Sequence, residues 1–184
     1  MELDAPDRRF VNLALVGFMG VGKSSVARMA GAGLHLEVVD TDELIESTAG
    51  QSIPSIFAAE GEAGFRARER AVLEGLEGRR GLMISTGGGL IAQPGNLESL
   101  RRHSLVICLW AGPETIWERV GHQSHRPLLQ TPDPQGRIRE LLALREPFYR
   151  QADVMVNTER RNVQEVAQHV MHHAKLAGVG QPLG

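Results

Sequence analysis

The stretch VNLALVGFMGVGKSS (Val11–Ser25) decides the architecture. Its first half, Val11–Val16, is a continuous apolar-rich run that stops at Gly17, the pattern of a strand buried on both faces of a parallel sheet. Its second half, GFMGVGKS (Gly17–Ser24), satisfies GxxxxGK followed by Ser or Thr, and Lys23–Ala32 then has helical character. Glycines between such a strand and such a helix let successive backbone N–H groups turn inward around phosphate oxygens. The helix N-terminus adds the positive end of its dipole. Lys23 would bridge the β- and γ-phosphates of a nucleotide, and the Ser24 hydroxyl would serve Mg2+. An ordinary glycine-rich turn would give no reason for the lysine. Only two of the 20 basic residues are lysines, Lys23 and Lys175, so the compact ammonium at position 23 stands out in an arginine-writing chain.

Working outward from this turn, short apolar runs alternate with longer helix-like stretches. Leu36–Val39 reads as a second strand, Thr41–Thr48 as a helix stopped by Gly50, and Ser52–Ala59 and Glu62–Leu76 as two further helices. Leu82–Ser85 is a third strand running into Gly87, Gly88 and Gly89. Asn96–Arg102 is helical, Leu105–Trp110 a fourth strand, and Pro113–Val120 a helix with proline in its first turn. Arg137–Tyr149 is helical, Val154–Val156 a short fifth strand, and Val163–Leu176 a closing amphipathic helix. Strands alternating with helices predict βαβ units and a three-layer α/β/α domain with a parallel sheet, a single domain over 1–184. Gly121–Gly136 fits neither period. It carries three prolines and two glycines, and with Arg126 in its middle it is expected to be a mobile lid.

Composition excludes other classes. The net charge of −2 advertises no nucleic-acid or membrane partner, and one cysteine in 184 residues rules out an internal disulfide framework. No apolar run approaches the roughly 18–20 residues a membrane span needs. Met1–Asp7 is acidic without a hydrophobic core, so no signal or transit peptide is expected. These features fit a cytoplasmic protein.

Further polar clusters carry chemistry, each with a plainer alternative. Asp40 and Asp42 end the second strand, where one carboxylate suits a Mg2+ shell and the other a hydroxyl; Asp40 or Thr41 is equally placed to cap the next helix. Arg66 and Glu69 share one helix face, so Glu69 would fix the guanidinium, unless the run is simply a solvated charged helix. Three glycines after Thr86 would let a ligand approach the backbone, or would form a flexible turn. The remaining clusters are HRPLL around Arg126 and LREPFY around Arg145.

Taken together, GFMGVGKSS, DTD, GEAGFRARE, TGGG, HRPLL and LREPFY followed by Ala152-Asp153 resemble the shikimate kinase family, in order and over nearly the whole chain. The resemblance implies a nucleoside-monophosphate-kinase-like fold with a five-stranded parallel sheet. It also implies transfer of the ATP γ-phosphate to the 3-hydroxyl of shikimate, on the route to chorismate and the aromatic amino acids. Carried over by position, Gly20, Val21, Gly22, Lys23, Ser24 and Ser25 would hold ATP phosphates, and Asp42 would bind the ring hydroxyls and act as base. Arg66 and Arg145 would clamp the shikimate carboxylate, with the backbone of Gly87, Gly88 and Gly89 closing on the ring. Asp40 would hold Mg2+ beside Ser24, Arg126 would reach the transferring phosphate, and Arg119 and the Arg160-Arg161-Asn162 segment would flank the adenine. The substrate-binding segment would span about 41–70 and the lid about 121–136.

Some positions depart from the family pattern. Ser25 stands where Thr is more usual, His35 and Val38 where Gly and an aromatic residue are common, and Val163 where some members have proline. His169, His172 and His173 have a spacing that suits a metal on a helix face, but their place near the terminus favours a plain surface role, and Cys108 reads as a core residue. The expected protein is a monomeric kinase using Mg2+, ATP and shikimate. A gluconate-type kinase on the same fold, or a nucleotide-binding module without turnover, are the rivals. The joint presence of DTD, GEAGFR, TGGG and LREPFY argues against the first, and retention of Lys23, Asp42 and Arg126 against the second.

Overall fold

The computed structural model describes residues 10–122 and 131–180. Five strands form one parallel sheet: β1 (Asn12–Val16), β2 (Glu37–Asp40), β3 (Leu82–Ser85), β4 (Ser104–Trp110) and β5 (Val154–Asn157), in the order β2-β3-β1-β4-β5. β1 is central, with Leu13 opposite Met83 of β3 and Leu105 of β4. All residues of β1 and β3, and all but Trp110 of β4, are buried. Covered on both faces, these three strands have no solvent side, which is why they read as unbroken apolar runs rather than alternating ones. The edge strands β2 and β5 leave Glu37, Val38, Met155 and Asn157 exposed.

Among the described residues, seven helices complete the three-layer α/β/α domain: α1 (Lys23–Leu34), α2 (Thr41–Ala49), α3 (Ile53–Leu76), α4 (Asn96–Arg101), α5 (Pro113–Val120), α6 (Pro134–Tyr149) and α7 (Val163–Leu176). α1 packs on β3 and against α7, while α4 packs on β4 and α3. The approach of α1 to α7 is close: a methyl group on Gly33 would lie 2.5 Å from Met171 Sδ. Local chemistry sets the helix ends. Asn162 and Glu165 form a reciprocal capping box that opens α7. Asp153 accepts from the Val106 amide and donates its own amide to the Val106 carbonyl, which seats the start of β5 against β4.

Beyond shifts of one or two residues at element ends, two boundaries differ from the sequence expectation. The helices expected over Ser52–Ala59 and Glu62–Leu76 are continuous as α3, interrupted at Gly61, whose φ of 68° breaks the regular backbone. α6 begins at Pro134 rather than Arg137, because Asp133 Oδ1 accepts from the Gly136 amide and Pro134 supplies a pre-set first turn. The last three residues of the expected lid segment 121–136 are therefore helical; its centre, including Arg126, lies outside the described residues. A 3-10 turn, Leu90–Ala92, follows the glycine run.

His35 closes α1 with φ 56°, in the left-handed region, where its amide donates to Gly31 and Ala32 carbonyls and its side chain is exposed. The conformation explains why glycine suits this position. His35→Gly is expected to raise stability by about 0.5–1 kcal/mol, the relief of left-handed strain less the added unfolded-chain entropy. Thermal unfolding checks this; a lower melting temperature would mean that the imidazole stabilises the helix end.

Candidate active site

The turn after β1 is shaped by glycines that no other residue replaces. Gly17 has φ 135°, and a methyl group there would lie 2.3 Å from the Leu109 carbonyl oxygen; Gly22 caps α1 with φ 93°. The first helical residue is Lys23, only 9% exposed, and its Nζ donates to the carbonyls of Gly17 (2.8 Å) and Phe18 (2.9 Å). The ammonium is thus held inside the curve of the loop, at a helix N-terminus that favours anions. Ser24 Oγ donates to Asp40 Oδ2 at 2.8 Å, and Asp40 Oδ1 accepts from the Asp42 amide at 3.0 Å. Of the readings of Asp40, the cap is the one seen: one oxygen caps α2, while the other meets the loop hydroxyl.

These groups line one cleft of about 430 Å3, which takes in Gly20, Lys23, Ser25, Asp42, Gly88 and Arg119. Val21 turns its side chain into the core. Arg119 donates to the Gly20 carbonyl (3.3 Å), the Thr158 hydroxyl (2.9 Å) and the Thr158 carbonyl (2.7 Å), which fixes its guanidinium plane at the rim. Arg161 sits apart. It donates to the Asn157 carbonyl at 2.6 Å and faces a groove along α7 shared with Glu165, His169 and His172.

The glycine run forms the opposite wall. Gly87 N–H donates to Thr41 Oγ1 (3.0 Å), and the space a methyl group would take at Gly87 is occupied by Asp42 Oδ1, at 2.6 Å. At Gly88 a methyl group would meet the Met19 amide nitrogen at 3.2 Å, so the run lies directly against the phosphate loop. At Gly89 it would meet Arg66 Nη1 and Nη2 at 3.2 Å and Arg145 Nη2 at 3.3 Å, so two guanidinium groups converge on this glycine. Glu69, 1% exposed, accepts from Arg66 Nη1 at 2.6 Å, and Glu62 accepts from the other side of the same fork. Burial holds the Glu69 carboxyl above its ordinary range, with Arg66 pulling it back and Asp42 adding to the rise. Arg145 donates to Gly88 O (3.3 Å) and stands 5.4 Å from the Phe18 ring centroid. Phe65 carries the Phe57 ring at 4.6 Å and the Arg66 guanidinium at 5.4 Å, an apolar flank to the paired arginines.

Arrangement follows function class. A cationic phosphate cradle faces a wall with two guanidinium groups, suited to a planar carboxylate, and one carboxylate, Asp42, suited to a hydroxyl. Sequence reasoning missed the roles of three positions: Thr41, read only as a possible helix cap, Thr158, and Tyr149, whose phenol donates to Gly88 O at 2.6 Å. Burial pushes the Tyr149 phenol above its usual range, so it stays a donor. Cys108 is fully buried in β4, and burial pushes its thiol up to about 12, which leaves it inert. Among the described residues no helix is long and apolar enough to cross a membrane.

The family model for shikimate kinase matches residues 19–175. A shikimate kinase of Symbiobacterium thermophilum is 45% identical over 171 residues, covering 91% of this chain and 98% of the relative. One from Cupriavidus pinatubonensis is 42% identical over 168 residues, covering 91% and 88%. Among solved structures, shikimate kinase from Acinetobacter baumannii in complex with shikimate superposes with a TM-score of 0.86 at 37% identity, over 93% of this chain and 98% of that one. A gluconokinase from Sinorhizobium meliloti shares the fold alone, with a TM-score of 0.62 at 17% identity over 93% and 96%.

Proposed function

The chain belongs to the shikimate kinase family, and from that membership we propose that it transfers the γ-phosphoryl group of ATP to the 3-hydroxyl of shikimate. The observation that carries the reading is the pairing of Arg66 and Arg145 at Gly89, one wall away from Lys23. A phosphate loop alone specifies a nucleotide. Two arginine forks and a carboxylate beside it specify an acceptor that is both a carboxylate and an alcohol.

Phosphoryl transfer asks mainly for positioning and for positive charge around the γ-phosphate. The loop amides from Gly20 to Ser25 hold the phosphates, and Lys23 turns from its carbonyl partners toward the bridging and terminal oxygens. Arg119, locked by Thr158, offers a flat face to the adenine; Arg126 and Arg161 are assigned to ATP by family position. Arg66, oriented by Glu69, and Arg145 take the shikimate carboxylate. Gly88 and Gly89 present backbone to the ring, while Gly87 spends its amide on Thr41 and contributes its lack of a side chain, which admits Asp42. Asp42 receives the hydroxyl proton as the oxygen attacks. Ser24 Oγ and Asp40 Oδ2, hard oxygen donors 2.8 Å apart beside the loop, fit Mg2+ and would hold it, Asp40 through water. When bound, the ion supplies neutralising charge to the phosphate oxygens. The enzyme works as a monomer in the cytoplasm, without nucleic-acid or membrane partners.

ADP release measured with Mg-ATP and shikimate, beside gluconate and a no-acceptor control, tests the reading. Release with shikimate alone is expected. Release with gluconate alone would transfer the assignment to that substrate class, and release independent of acceptor would reduce the protein to an ATPase.

A further inference from the structure

Tyr149 lies one helical turn after Arg145 on α6, and both side chains reach the same atom, the Gly88 carbonyl oxygen. The phenol takes it at 2.6 Å, while Arg145 Nη1 makes a longer contact of 3.3 Å. Tyr149 is 1% exposed, so its hydroxyl has no water to turn to, and a buried phenol without an acceptor would be costly. The short bond satisfies the hydroxyl and makes it the nearer of the two donors on the carbonyl. Arg145 also meets the Tyr149 hydroxyl itself and the Phe18 ring, so the phenol stands between the fork and the carbonyl.

The same bond orients a peptide. Gly88 and Gly89 are joined by a trans bond, so a fixed Gly88 C=O fixes the Gly89 N–H on the opposite edge of one rigid plane. Among the described residues that N–H has no protein acceptor. It belongs to the glycine on which Arg66 and Arg145 converge.

We propose that Tyr149 is a positioning residue for carboxylate recognition: its hydroxyl holds the Gly88–Gly89 peptide and keeps Arg145 from collapsing onto the Gly88 carbonyl, so that the fork remains for the substrate carboxylate. The role rests on the shikimate reading of the site. Without the hydroxyl, Arg145 becomes the sole donor to Gly88 O and shortens that contact at the expense of the acceptor.

Tyr149→Phe removes one oxygen and keeps the ring that fills the core, including its 6.4 Å edge contact with Trp110. KM for shikimate is expected to rise about tenfold, the scale of one hydrogen bond to a charged partner, with KM for ATP changed less than about twofold. Shikimate methyl ester, which lacks the carboxylate charge, separates this role from a merely structural one. With the ester, kcat/KM of wild type and variant should agree within about twofold, since the interaction that Tyr149 protects is absent. An equal penalty on acid and ester would overturn the proposal in favour of general loosening, and an unchanged KM for shikimate would overturn it outright. Wild-type protein inactive on shikimate would overturn the site reading and this role with it. An active wild type beside an unaffected variant overturns the Tyr149 role alone.

Discussion

Lys23→Met lowers kcat with shikimate by about a thousandfold or more, the expected cost of removing a preorganised cation from a transferring phosphoryl group. The variant keeps its fold. Methionine matches the lysine stem in length, and the replaced ammonium is 9% exposed and bonded to two loop carbonyls. Losing those two bonds leaves the Gly17 and Phe18 carbonyls less well satisfied, a cost of about 1–3 kcal/mol in stability. A shift of that size is readable by thermal unfolding and insufficient to unfold a domain of this size at 25 °C. ATP affinity falls less than turnover does, because the loop amides and the α1 dipole still meet the phosphates. Steady-state kinetics beside calorimetric nucleotide titration separates the two effects. A variant with near-normal kcat would show that Lys23 is a structural brace for the loop, and the catalytic assignment of GFMGVGKS would fail.

What could be read from the residues follows from how far each interaction reaches. β1, β3 and β4 are legible because burial on both faces writes a continuous apolar run, α5 because Pro113 marks its start locally, and α7 because its apolar residues recur on one face. The separation read between Ser52–Ala59 and Glu62–Leu76 falls where α3 continues through a local break at Gly61, whose positive φ suits glycine. The start of α6 was hidden by its own punctuation: Pro132, Pro134 and Gly136 look like loop composition, although Asp133 and Pro134 are a cap and a first turn. At the site, Arg66 pairs with Glu69 as their spacing implied, and Asp40 lies beside Ser24. Thr41, Thr158 and Tyr149 act on partners 46, 39 and 61 positions away, and no local pattern announces such bonds. Tyr149 lay within LREPFY without a role, because only the folded chain shows that its hydroxyl and Arg145 compete for one carbonyl.

Asp42→Asn is the second large effect, a fall in kcat of about a hundredfold to a thousandfold with shikimate as acceptor. Asparagine has the same size and still binds hydroxyls, but it accepts no proton and carries no charge to raise the nucleophilicity of the attacking oxygen. Its backbone role survives, since the bond to Asp40 Oδ1 uses the amide of residue 42. The lost charge at the α2 N-terminus costs only a few tenths of a kcal/mol, because Glu43 remains in the same turn. The position is tight, with the carboxylate pressed against Gly87, so the amide stays where the acid was. KM for shikimate should therefore move little in Asp42→Asn and rise clearly in Asp42→Ala, which removes the hydrogen bonds as well. That split distinguishes a base from a binding group. If Asn and Ala variants both keep kcat and differ only in KM, proton acceptance lies elsewhere and Asp42 serves solely to orient the ring. If both lose kcat alike while KM rises only in the alanine variant, the carboxylate acts on the transferred proton, and the cleft between Lys23 and Gly88 contains both halves of the reaction.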